Sequence, residues 1–164
     1  MIGGGFPVGA IAGREEVMGV FAPGVDGPRL PHSGTFSANP VTMTAGYIAM
    51  NLFDRDAVTR TNELGTYACT QLEEAIKVSG APASVSGAGS MYRVHMKAEL
   101  PRDYRSSFPS EAEKKALNTF VNHLSDAGFL MIYSGAFTLS TPMGRSEIDR
   151  LAEAAVDALR KSME

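Results

Sequence analysis

Ser33-Gly34-Thr35-Phe36-Ser37-Ala38-Asn39-Pro40 runs into a helix start, and about 25 residues ahead of it stands Ile2-Gly3-Gly4-Gly5-Phe6-Pro7-Val8-Gly9-Ala10. Asn39 is a good N-cap and Pro40 suits the first helical position, so a helix is expected through Ala45 and Ile48 to about Leu52. A hydroxyl and backbone N–H groups just ahead of a helix N-terminus make an anion site, with Thr35 as the side-chain donor. Read alone, Ser37 and Asn39 simply cap the helix. The glycines of the earlier run allow positive φ and close backbone approach, as phosphate and cofactor sites require. That run lacks the lysine and spacing of a P-loop, and it lacks the strand-first context of a dinucleotide fingerprint. Taken by itself it is a tight loop feeding a short buried strand, Val8 to Ala12.

Outward from these motifs the chain divides into two zones. Residues 1–40 hold nine of the 17 glycines and five of the nine prolines, which predicts loops, with a short helix from Arg14 to Phe21 and a long loop from Pro23 to Pro31. From about Asp56 to Val78, Leu64, Tyr67, Ala68, Leu72, Ala75 and Ile76 recur at helical steps, and Gly80 closes that helix. A strand is expected over Ala83–Met96, with Tyr92, Val94 and Met96 on one face. Pro101 to Pro109 is a polar loop. Ser110-Glu111-Ala112-Glu113 is a capping box that opens a helix to about Asp126. Phe129–Tyr133 and Phe137–Ser140 follow as strands. Ser146-Glu147-Ile148-Asp149 starts a last helix with Ile148, Leu151, Ala155 and Leu159 on one stripe. This order predicts a small α+β domain with a short, mainly antiparallel sheet under helices.

Composition bounds the function classes. The chain has 164 residues, 44% hydrophobic and 20% charged, which suits a globular core. A net charge of −3 gives no electrostatic case for nucleic acid or for an anionic membrane. No apolar run approaches the roughly 18 residues of a membrane span. The lone cysteine, Cys69, has no partner for an internal disulfide, which points to a reducing cytoplasm.

The two opening motifs, in this order and followed by the small residues Thr42, Thr44, Ala45 and Gly46, resemble class III pyridoxal-phosphate (PLP) aminotransferases of fold type I. The likeness is nearest to the glutamate-1-semialdehyde 2,1-aminomutase branch, and β-amino-acid aminotransferases are similar here. It continues through Val85-Ser86-Gly87-Ala88-Gly89-Ser90-Met91 and Ser146-Glu147-Ile148-Asp149 to the end of the chain. The resemblance implies the C-terminal segment of an α/β transferase fold. Residues 1–55 would be the remnant of the large PLP-binding domain, and residues 56–164 the small C-terminal α+β domain. It implies PLP as cofactor and Thr35, with Gly34, at the PLP phosphate of the neighbouring subunit of a homodimer. Gly3, Gly4 and Gly5 would shape the same region. A small amino-acid or amino-aldehyde substrate is implied as well. The family's catalytic lysine falls one position before Met1, and Lys77, Lys97, Lys114, Lys115 and Lys161 do not match it. The isolated chain is therefore expected to be inactive.

Other side chains read as structural. His32, His95 and His123 show no metal spacing relative to one another or to Cys69, so no metal site is expected. His32 alone lies beside the Thr35 motif, where a substrate pocket would lie. Cys69 has no basic neighbour to make it a nucleophile. Two other readings stand beside an enzyme fragment. One is a stand-alone dimerising or binding module. The other is an unrelated α+β binding protein with a phosphate ligand at its glycine-rich start, against which the ordered pair of motifs argues.

Overall fold

In the computed structural model, which describes residues 2–164, Asn39 Oδ1 accepts hydrogen bonds from the Val41 and Thr42 amides at 3.1 and 3.2 Å. With Pro40 as its first residue, the helix that follows runs over Pro40–Leu52. The chain divides into two compact units, residues up to Asp54 and Arg55–Glu164. In the first unit, α1 (Glu15–Met18) passes into a 3₁₀ turn, Gly19–Phe21, and α2 is Pro40–Leu52. The helix expected from Arg14 to Phe21 is thus present in two short pieces. The strand expected over Val8–Ala12 is not: those residues are exposed coil. An isolated strand leaves its ladder groups unpaired, and the first unit has no other strand among its described residues.

The second unit contains α3 (Arg55–Ser79), β1 (Ser84–Ala88), β2 (Met91–His95), α4 (Glu111–Asp126), β3 (Ala136–Thr138) and α5 (Arg145–Lys161). Its three strands form one antiparallel sheet in the order β1-β2-β3. Val85 pairs with Val94, and Tyr92 lies between Gly87 and Phe137. These residues make the face turned to the helices. On the opposite face Ser84 pairs with His95, and Ser86 with Arg93. Helix α3 meets the core along a stripe of small residues, Ala57, Thr61, Gly65, Ala68, Ala75 and Ser79, with Leu72 among them. Phe120 and Leu124 of α4 and Ile148, Ala155 and Leu159 of α5 are fully or almost fully buried. Burying a side chain of that size is worth about 1.5–3 kcal/mol.

Three expectations are corrected here. Ala83–Met96 is a hairpin rather than one strand: Gly89, at φ +60°, makes the two-residue turn between Ala88 and Met91. Phe129–Tyr133 is not a strand. Met131 is buried while Leu130, Ile132 and Tyr133 are exposed, and the backbone turns back at Gly135, whose amide donates to the Ile132 carbonyl at 2.8 Å. Strand pairing begins after that turn, so the order is helix, strand, strand, helix, strand, helix. Finally, the last helix is capped at Gly144 and not at Ser146. The Glu147 carboxylate accepts from the Gly144 amide at 2.8 Å, which is half a capping box because glycine has no hydroxyl to return the bond. The full capping box at Ser110 and Glu113 is present as expected. No helix of the described residues is long and apolar enough to cross a membrane.

Candidate functional site

Both glycine motifs belong to the first unit, and both are built on α2. The Phe6 amide donates to the Gly3 carbonyl at 3.0 Å, which closes a turn whose inner residues, Gly4 and Gly5, have φ of +59° and +97°. This turn lies flat on the helix. A Cβ on Gly4 would be 2.5 Å from the Ala45 carbonyl oxygen, and one on Gly46 would be 2.3 Å from the Ile2 carbonyl oxygen. Glycine is therefore required on both sides of the contact. The pair Ala45-Gly46 inside a helix is the sequence signal for this docking, since an interior glycine weakens a helix unless something packs against it.

The second motif turns at the N-terminus of the same helix. The Ser37 amide donates to the Gly34 carbonyl at 2.9 Å, and the Asn39 amide to the Phe36 carbonyl at 3.2 Å. Ala38 has a φ of +54°, the one positive value outside glycine among the described residues. A strained non-glycine position beside a cap is the kind of feature found at ligand clamps. Thr35 is exposed at the head of this turn, and its hydroxyl has no protein partner among the described residues. A free hydroxyl at the positive end of a 13-residue helix suits a phosphate or carboxylate. His32 makes an edge-to-face contact with Phe21, ring centroids 5.6 Å apart.

The remaining candidates have structural partners. The lysines Lys77, Lys97, Lys114 and Lys161 are ion-paired with Glu74, Glu113, Glu111 and Glu164. Lys115 is exposed on α4. Burial, followed by the charge of Glu73, raises the Cys69 thiol above its ordinary value, the wrong direction for a nucleophile. His95 is buried with Nε2 2.8 Å from Ser86 Oγ, and burial lowers its pKa. No group of three metal-ligating side chains forms among the described residues.

A sequence profile for Aminotransferase class-III matches residues 1–160. The chain belongs to the class-III aminotransferase family. Glutamate-1-semialdehyde 2,1-aminomutase of Methanothrix thermoacetophila is 32% identical over 156 residues, 94% of this chain and 35% of that protein. Among solved structures, an omega-transaminase from Sphaerobacter thermophilus superposes on the whole chain with a TM-score of 0.93 and 39% identity, covering 37% of its own length. A transaminase with PLP bound superposes on 99% of this chain, and on 37% of its own, with a TM-score of 0.84 and 34% identity. The chain thus spans little more than a third of the class-III aminotransferases it resembles, and its fold is that of the corresponding portion of a transaminase.

Proposed function

We propose that this chain is the C-terminal part of a PLP-dependent enzyme that transfers or moves an amino group. The observation that carries this reading is the convergence of two turns on one helix: the Gly3–Phe6 turn docked over Ala45 and Gly46, and the Gly34–Ser37 turn at its N-cap. PLP supplies the electron sink for amino-group chemistry, and the protein positions it. Thr35 Oγ1 and the Gly34 backbone would hold the cofactor phosphate, with Gly3, Gly4 and Gly5 shaping the wall beside them. In this reading residues 1–55 belong to the PLP-binding domain and residues 56–164 form the small domain. The phosphate held at Thr35 belongs to the neighbouring subunit of a cytoplasmic homodimer. The substrate is a small amino acid or amino aldehyde.

In this reading the five lysines of this chain, which are on helices, at a strand end or near the last residue, do not take the role of the family's lysine, which serves as covalent anchor and then as general base. Two reactions suit the family: migration of an amino group within one substrate, and transamination between two. The aminomutases are similar to this chain at about the same identity as the solved transaminases, and the omega-transaminase at 39% identity over the whole chain supports transamination as a second reading.

The test is to mix the 164-residue chain with PLP, reduce with borohydride and map the modified lysines. Scattered, substoichiometric labelling without turnover is expected. Stoichiometric labelling of one lysine together with amino-donor turnover would overturn the assignment. Combined with a polypeptide that supplies the family's lysine, the chain should turn over, and Thr35→Ala should weaken PLP retention roughly tenfold. Offering glutamate-1-semialdehyde alone, or an amine with an oxo acid, then separates the two reactions.

A further inference from the structure

A cleft of about 380 Å³ opens in the second unit between the first half of α3 and residues 140–145, which lead into α5. Arg60, Glu63, Leu64 and Tyr67 line it from α3, and Met143 and Arg145 from the other side. Its size is at the lower end of the range for small-molecule sites. Arg60 and Glu63 are both exposed at this cleft and form no ion pair with each other. Arg145, moreover, is the first residue of α5, where the helix dipole disfavours a cation. It is held there over the Tyr67 ring, 4.9 Å from the centroid, while the Tyr67 hydroxyl donates to Asp149. A ring face takes up the charge of a guanidinium but leaves its in-plane N–H donors free.

We propose that this cleft binds a free amino acid, with Arg60 and Arg145 on its carboxylate and Glu63 on its ammonium group. Arg60 and Glu63 are about one helical turn apart, roughly 5 Å along the axis, which suits two opposite charges carried on neighbouring atoms. Guanidinium donors match a carboxylate in a planar fork, and a carboxylate side chain accepts from an ammonium. Leu64 and Met143 give the ligand's side chain an apolar wall. The presence of both signs selects the zwitterion over a simple acid or a simple amine. This inference does not depend on the PLP reading, because all six residues belong to the second unit.

Saturation-transfer-difference NMR on the 164-residue chain tests it, because signals are read from the ligand and self-association of the protein does not spoil them. L-Alanine should give a saturable signal in the millimolar range. Acetate and methylammonium, at constant ionic strength, should bind about tenfold more weakly. Arg60→Ala and Glu63→Gln should each weaken L-alanine about tenfold, the loss expected for one charge-assisted hydrogen bond. Both positions are exposed, so circular dichroism and the thermal midpoint should stay unchanged. The proposal is overturned if L-alanine gives no saturable signal, if acetate binds as well as L-alanine, or if both variants bind like the parent chain.

Discussion

A methyl group on Gly65 would lie 1.9 Å from the Gly89 carbonyl oxygen and 2.9 Å from the Tyr92 ring. Replacing glycine by alanine inside a helix ordinarily stabilises it by about 1 kcal/mol. Here the hairpin backbone must move instead, and overpacking costs about 1–3 kcal/mol. Gly65→Ala should therefore lower the thermal midpoint, while the exposed control Thr59→Ala stays within about 0.5 kcal/mol of the parent chain. A Gly65→Ala chain as stable as its parent would contradict this packing. The sequence does not mark Gly65, because Gly89 reaches it only once the hairpin has formed. Thr35 is proposed as a site residue from the sequence for the opposite reason: its motif is local and ordered. His95 gives a second residue-scale expectation. Burial first, and then the positive charges of Arg93 and Lys97, hold its folded pKa below the ordinary 6.5. The unfolded chain then binds the extra proton first, so stability is complete above about pH 6.5 and falls as pH drops from there through the folded value. Denaturant midpoints measured from pH 7.5 to 5 should show that slope, and His95→Gln should flatten it. Equal slopes in both chains would assign the pH dependence to other groups.

At the scale of elements, two of the helix starts were readable to the residue, whereas strand regions were readable but their boundaries were not. Caps depend on residues within one turn, so Asn39-Pro40 and Ser110 with Glu113 reveal themselves locally. Strand boundaries depend on partners far along the chain. The apolar run Phe129–Tyr133 has strand composition, yet Gly135 turns the chain before pairing begins. The turn at Gly89-Ser90 splits what reads as one strand into two. Glu113 carries more than its capping role. It accepts from the Ser110 amide at 2.6 Å and from Lys97 Nζ at 3.0 Å, so it ties the start of α4 to the end of the hairpin. The Ser110 backbone bond is the largest cause of a pKa below the ordinary 4.5, and Lys97 adds to it. A lowered carboxylate contributes stability that is present above about pH 4.5 and lost as pH falls through the lower folded value. Ser110→Ala should cost about 0.5–2 kcal/mol at neutral pH. Glu113→Gln should remove part of the loss seen in acid titrations of stability, and an unchanged acid limb would count against this role.

Across the whole molecule the apolar side chains are unevenly used. Among the described residues every buried hydrophobic one lies between Ala57 and Leu159, and none lies among residues 2–54. Helix α2 shows the contrast most clearly: Val41, Met43, Tyr47, Ile48, Met50 and Leu52 point around its circumference and all are exposed, Leu52 by 74%. Apolar surface of this extent marks an interaction face. The covering layer is not in residues 2–54 themselves, which have no core to offer. This was legible in part, because the glycine- and proline-rich start contains too few regular elements to close a domain. That the large apolar side chains of α2 stay exposed depends on tertiary burial, which no local pattern records. Two measurements follow from the imbalance. Local stability tracks buried apolar contacts, so hydrogen exchange should be fast over peptides from residues 2–54, apart from the short α2 ladder. It should be slowest around Leu72, Phe120 and Leu159. The exposed face should also bind an apolar dye and drive association, so the chain should sediment as a concentration-dependent mixture. Tyr47→Lys together with Ile48→Glu should reduce both dye binding and association while leaving exchange at Phe120 unchanged. A monodisperse monomer that binds no dye, with peptides from residues 2–54 as protected as those around Phe120, would show that the first unit is stable by itself and that α2 needs no partner.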